Sequence, residues 1–352
     1  MWYGPDVDVI LKPLALIGRY GTQGFALSIF MGLALPQFAA AARPLLPITI
    51  FLFVAMTFAR ADLSALKAAL VRPKAVIIAV VWLTLAPILM MLAIFSLFPK
   101  TSLDPGLVLG LIVVAASPPI MSGPAVAMML NIEPTVLIAA TIITTTAAPF
   151  LGPPIAEFLL GGPAPIDTQL LMLRLLGLIG GAIVLALLAR RIIGYRRIVE
   201  NKVALDGFGV VMYFLFAIAA MDGVTNAFIT RPEKVFLFLS IAFAVVLAGF
   251  VFAWAVLRFV LKPADVFLMG YGTAQRNMGA MIAALGAATP ETTFLFFALA
   301  QFPIYLMPQL LKPLAMRFAV SGVIHGGPSG PGAGSNAEQV VDSLPGPPGR
   351  RE

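Results

Sequence analysis

The chain has 352 residues, 60% of them hydrophobic and only 11% charged, against roughly a quarter charged in soluble domains; a water-soluble fold of this size would lack polar residues to cover its surface. The net charge of +7 does not imply nucleic acid, because Lys and Arg fall in short loops between apolar runs, where they set membrane orientation. The absence of cysteine excludes disulfides, thiolate metal sites and cysteine nucleophiles.

Crossing the hydrocarbon takes about 20 apolar residues at roughly 1.5 Å each. Residues 1–21, MWYGPDVDVILKPLALIGRYG, lack the basic region, apolar core and small-residue cleavage site of a signal peptide, and are expected to form a cytoplasmic segment. Ten apolar spans follow, at about 22–38, 45–60, 75–98, 105–131, 134–156, 169–190, 203–221, 234–258, 265–288 and 292–316. The expected fold is all-α, a polytopic membrane protein. Residues 318–352, rich in Gly, Pro and Ser, read as a solvated tail. His325, the only histidine, lies there, and a flexible tail cannot hold a ligand geometry.

With ten spans, one side receives fifteen basic residues, from Lys12 and Arg19 to Lys312 and Arg317. The other receives five: Arg43, Lys100, Arg174, Arg231 and Lys234. The asymmetry predicts both termini in the cytoplasm and, for a multi-pass protein, the inner (plasma) membrane.

The spans fall into two similar units, residues 22–156 and 157–317. The loop Ala61 to Val76 (ADLSALKAALVRPKAV) and the loop Met221 to Val235 (MDGVTNAFITRPEKV) each place Arg-Pro nine or ten residues after an Asp. Roughly fifty residues beyond each Asp comes a disturbed span: SPPIMSGPAVAMML from Ser117, and GTAQRNMGAMIAAL from Gly272. Five spans per unit is odd, so the two units would have opposite topology.

Pro118, Pro119 and Pro124 cannot lie in an unbroken helix without freeing carbonyls, and freed backbone groups cost several kcal/mol each in hydrocarbon. The break must therefore face the protein interior. Its counterpart GYGTAQRN (Gly270 to Asn277) has glycines where the backbone can unwind, followed by polar side chains. Paired broken spans in two inverted halves point to the binding site of a secondary transporter. Half-helix N-termini suit an anionic group, and loosened carbonyls with nearby hydroxyls suit a cation. The candidate substrate-binding residues are Ser117, Ser122, Gly123, Thr273, Gln275, Arg276 and Asn277. Thr141, Thr145 and Gln275 are candidate ligands for a coupling ion, sodium or proton. The hydroxyls of Thr141, Thr144, Thr145 and Thr146 have a second reading, bonds to the carbonyl one turn earlier. No cofactor and no metal centre are expected.

Arg276 stands out. An arginine at mid-bilayer costs at least about 2.5 kcal/mol and needs a partner. Either it pairs with one of the few nearby acids, Glu133, Asp206 or Asp222, or it meets an anionic substrate. Gly177 and Gly181 form a GxxxG that predicts close helix packing, and Pro87 predicts a kink in the third span.

GLVLGLIVVAASPPIMSGPAVAMMLNIEPTVLIAATIITTTAAPFLGPPIA resembles the fourth and fifth helices of the bile acid:sodium symporter superfamily, and GYGTAQRNMGAMIAAL is similar to its ninth. The resemblance, over about residues 20–317, implies two inverted five-helix repeats with discontinuous crossing helices 4 and 9. It also implies a panel domain of spans 1, 2, 6 and 7 moving against a core domain of spans 3–5 and 8–10, with organic anions carried alongside sodium. Three sodium-ligand positions depart from the family pattern: Trp82 stands where a glutamine is expected, Pro124 and Ala125 where a Ser-Asn pair is, and Gly272 where a glutamate is. Thr141 and the amides of Gln275 and Asn277 persist. These losses suggest that Arg276 replaces the bound cation, leaving an anion transporter that is proton-linked or uncoupled; a sodium-dependent symporter with a rearranged cation site is the alternative.

An enzyme is not expected, since no HExxH, GxSxG or paired intramembrane aspartates occur. A ligand sensor would normally append an effector domain, for which the tail is too short. An arsenite-efflux relative would be expected to carry a cysteine. Partners are the bilayer and a small organic anion; substrate identity and oligomeric state stay open.

Overall fold

The computed structural model describes residues 13, 29–61, 71, 73–121, 123, 127, 132–161 and 167–307. Among them every regular element is helical. In chain order these are α1 (Pro36–Arg60, with a 3-10 turn at Arg43–Leu45), α2 (Pro73–Leu97), α3 (Pro105–Ala116), α4 (Thr135–Leu160), α5 (Thr168–Ile192) and α6 (Tyr195–Glu200). They continue as α7 (Lys202–Ala220), α8 (Val224–Thr230), α9 (Pro232–Leu257), α10 (Pro263–Ala274), α11 (Met278–Leu285) and α12 (Glu291–Met307). Six stretches are long and apolar enough to cross a membrane: α1, α2, α4, α5, α7 with α8, and α9. The protein is a polytopic membrane protein. A 25-residue helix is roughly 37 Å long, sufficient for the hydrocarbon with some tilt. On α2, Ile77, Ile78, Val81, Leu85, Leu89 and Leu92 are exposed at steps that follow one helix face, a stripe that lipid accepts and water does not.

Helix α3 is the opposite case. It is apolar all round and buried from Gly106 to Ala116, as expected of a helix enclosed by others. Two glycines let α12 approach it: a Cβ on Gly106 would stand 1.8 Å from Thr292 Oγ1, and one on Gly110 2.5 Å from a Phe296 ring carbon. Its start is fixed by Asp104, whose Oδ1 accepts from the N–H of Gly106 and Leu107, while Oδ2 meets Lys234 Nζ at 2.8 Å. Asp104→Ala removes both the cap and the ion-pair partner. It is expected to cost about 1–2 kcal/mol of stability, read as a lower midpoint of thermal unfolding in detergent.

Helix α4 stops at Gly161, which takes the left-handed conformation (φ +71) that glycine enters freely. Lys100 Nζ caps its last turn by donating to the carbonyls of Leu159 and Leu160 at 2.8 and 2.9 Å. This ties the turn between α2 and α3 to the end of α4.

Two expectations are corrected. The Gly177/Gly181 pair is not a tight packing face: a Cβ on Gly177 meets nothing within 4 Å, whereas one on Gly181 meets Phe51 at 3.2 Å. Gly177 belongs instead to a π-helical turn, Leu176–Gly180. Met221 to Val235 is not a plain loop, because VTNAFIT folds as α8 after the chain turns at Gly223 (φ +78), burying Val224 and Ala227. The matching stretch Ala61 to Val76 falls largely outside the described residues, so the two cannot be compared. The interruptions expected at Ser117 and within GYGTAQRN fall where helices end: α3 stops at Ala116, and α10 stops at Ala274 with α11 starting at Met278.

Candidate functional site

The chain leaves helical geometry at Ser117 because Pro118 and Pro119 have no N–H to continue the ladder. The last helical N–H bond of α10 runs from Gln275 to the Tyr271 carbonyl. The two interruptions meet. Ile120 N–H donates to the Gln275 carbonyl at 2.9 Å and Asn277 N–H to the Pro118 carbonyl at 2.8 Å, giving an isolated antiparallel bridge between Pro119 and Arg276. Each break thus supplies what the other lacks, which is how non-helical backbone survives at membrane depth.

Arg276 completes the closure. Its residue is 4% exposed, and it pairs with none of the expected acids. Asp206 is bonded to Arg60 at 2.7 Å, Asp222 to Arg43 at 2.8 Å, and Glu133 accepts from the Thr135 N–H. Its partners are backbone carbonyls: Nη1 donates to Leu83 O at 2.9 Å and Gly272 O at 3.1 Å, and Nη2 donates to Ser117 O. Each of these oxygens has lost its ordinary partner for an identifiable reason. Leu83 lies four residues before Pro87, which has no N–H to return. Gly272 lies four before Arg276, beyond the end of α10, and Ser117 opens the proline break. One planar guanidinium with five fixed donors serves three such carbonyls where a lysine would serve as a point charge.

Beside this knot lies a cavity of about 70 Å³, between α1, α7, α12 and the two breaks. Thr57, Tyr213, Arg276, Asn277, Gln301 and Tyr305 supply its polar lining, with Ile50, Phe53, Val54 and Phe216 on the apolar side. The N-terminus of α11 reaches it through Asn277, Met278 and Gly279, and Asn277 makes no side-chain capping bond. The start of a half-helix and part of a guanidinium therefore border one small chamber, with the N–H groups of Asn277 and Met278 already donating to the Pro118 and Arg276 carbonyls. Arg276 Nε has no partner among the described residues.

Of the expected substrate-binding residues, Arg276 and Asn277 line the cavity. Ser117 and Thr273 do not, and each is otherwise engaged. Ser117 Oγ donates to Val113 O at 2.6 Å; Thr273 Oγ1 donates to Met269 O and accepts from Trp82 Nε1 at 2.9 Å. Trp82 thus occupies the side of α10 that a smaller polar side chain would have left open. Gly123 is buried against Leu137 and Tyr271, and Ser122 and Pro124 lie outside the described residues. Gln275 is buried behind the bridge, its Oε1 without a partner among the described residues.

The threonines divide in two. Thr144 and Thr146 bond back to the carbonyls of Ala140 and Ile142, whereas Thr141 and Thr145, one turn apart, have buried hydroxyl oxygens with no partner among the described residues. They lie on α4 between Leu137, which touches the Cβ positions of Gly123 and Gly272, and Gly152, whose Cβ position is 3.1 Å from Ala116 O. That interval is level with the breaks. Without a bound ion, Thr141→Val and Thr145→Val replace a costly unpaired hydroxyl by a methyl. Each is expected to leave thermal stability unchanged or raise it by about 1 kcal/mol; a destabilisation that appears only in sodium would reveal a cation ligand.

Tyr213, Gln301, Tyr305 and Thr57 were not singled out by the sequence. Gln301 and Tyr305 did leave a signal, two polar side chains four apart on one face of an apolar helix. Neither a scan against protein-family models nor a search of curated proteins returns a match to this chain.

Proposed function

We propose that this membrane protein is a secondary transporter that moves a small organic anion by alternating access, binding it where the broken fourth and ninth spans cross. One observation carries the reading: segments far apart in sequence, each interrupted, are hydrogen-bonded to each other next to a polar chamber that holds an arginine and a half-helix N-terminus. In hydrocarbon such an arrangement is costly to maintain, and it is the arrangement that anion recognition uses in transporters built from inverted repeats. The resemblance to the bile acid:sodium symporter superfamily supports ten spans in two inverted repeats. In that reading α1, α5 and α7 belong to the panel, α2 to α4 and α9 to α12 to the core, and both termini are cytoplasmic. A chamber of about 70 Å³ is far below the roughly 300 Å³ at which pockets enclose drug-sized ligands, so in this conformation a small carboxylate fits better than a steroid.

Arg276 acts in this scheme as a built-in cation. Its guanidinium is held by carbonyls from three segments, the way a bound metal cation would be, and so transport needs no sodium. One observation favours the other coupling mode: the unpartnered oxygens of Thr141, Thr145 and Gln275 could close around a sodium ion.

Solute counterflow in proteoliposomes tests the function. Loaded small monocarboxylates are expected to drive uptake of labelled ones, and Asn277→Ala to reduce the rate about tenfold or more. Binding of these anions without any counterflow would favour a ligand sensor.

A further inference from the structure

A second and larger cavity, of about 350 Å³, opens along the same pair of helices. It is lined on one side by Arg43, Pro44, Leu46 and Pro47 at the start of α1, and on the other by residues at and just past the end of α11. The central chamber lies one turn further on, with Ile50 and Val54 of α1 facing Met278 and Gly279 of α11. Ile50 closes on Gly279, its Cδ1 3.2 Å from where a Cβ would stand. Both spaces are bordered by α1 and α11, and the Ile50–Gly279 contact lies on the central chamber's side of that shared boundary.

The chemistry of the larger chamber suits an anion with an apolar body. Arg43 supplies a guanidinium that is only partly committed, with Nη1 on Asp222 Oδ2 at 2.8 Å and its carbon 4.1 Å from the centre of the Phe294 ring. Thr289 contributes a buried hydroxyl with no partner among the described residues. Leu46, Pro47, Ile282 and Phe294 are apolar. The C-terminus of α11, which would repel an anion, is covered by Arg174, whose Nη1 donates to the carbonyls of Ala284 and Leu285.

We propose that this outer cavity is a second binding site, an antechamber that holds a carboxylate on Arg43 before Ile50 withdraws from Gly279 and admits it to the central chamber. The proposal rests on the transport reading only for its place on a path; binding itself is tested separately. Because the chain has no cysteine, an Ala287→Cys variant of the full protein gives a single label at an exposed position of the cavity wall. 2-Naphthoate is the probe, since the outer chamber has room for it and the central one does not.

Naphthoate is expected to slow reaction of this cysteine with a membrane-impermeant maleimide. Arg43→Gln should raise the half-protecting concentration about tenfold, whereas Asp222→Asn, which frees the guanidinium, should lower it. A structural role for the ion pair would move both variants the same way, and that result overturns the proposal. So does the absence of protection. Asn277→Ala should leave protection intact; protection that vanishes with it overturns a separate site. Failed counterflow with intact protection removes the transport reading while leaving the anion site standing.

Discussion

Arg276→Ala is expected to be the most damaging single substitution in the protein, because it leaves the carbonyls of Leu83, Gly272 and Ser117 without a donor at once. A buried acceptor deprived of its partner costs about 1–3 kcal/mol, so the loss is expected to reach about 3–6 kcal/mol, offset in part by removal of a desolvated charge. The consequence exceeds the energy, since these carbonyls belong to α2, α10 and the break after α3. With the guanidinium gone, the Pro119/Arg276 bridge loses the group that holds its surroundings together. Arg276→Lys keeps the charge but not the fork, and should recover only part of the stability. Methylguanidinium added to the alanine variant should restore thermal stability where potassium at equal ionic strength does not. Thermal unfolding in lipid nanodiscs measures all three; an alanine variant as stable as the parent would show that the three contacts contribute nothing.

The second large effect is expected at Gly249. A Cβ there would lie 2.8 Å from Ala274 Cα and 3.1 Å from Ala274 N, against backbone that cannot rotate away as a side chain could. Ala274 ends α10 immediately before the bridge, so any displacement is passed to Gln275 and Arg276. Gly249→Ala is expected to cost about 1–3 kcal/mol by overpacking and to lower counterflow with it. Gly177→Ala is the control: the added methyl meets nothing within 4 Å, and stability should rise by about 0.5–1 kcal/mol. Equal effects at the two glycines would remove close helix approach as the explanation.

The interruptions themselves were legible in the sequence, because proline pairs and a run of polar residues within apolar spans have few other meanings. The partners of Arg276 were not. Carbonyl oxygens carry no sequence signature, and only Pro87 hinted that one of them, Leu83 O, would be free. Polar type also misleads when a neighbour consumes it. Thr273 reads as a ligand until Trp82, 191 positions away, takes its hydroxyl. Conversely Tyr213, Gln301 and Tyr305 reach the chamber from helices whose sequence reads as ordinary lipid-spanning stretches. Their placement follows from tertiary packing of α7 and α12 against the crossing, of which the four-residue spacing of Gln301 and Tyr305 was the one local trace. The GxxxG of α5 served only at one end: Phe51 of α1 approaches Gly181, whereas nothing packs against Gly177.

In the proposed transport cycle, the permanent guanidinium of Arg276 stands in for a transported cation at the crossing. The most direct test of this role is counterflow of a small carboxylate into proteoliposomes with every sodium ion replaced by N-methylglucamine. A built-in cation predicts an undiminished rate and no sodium-dependent rise in thermal stability. A strict requirement for sodium, lost on Thr141→Val or Thr145→Val, would contradict it.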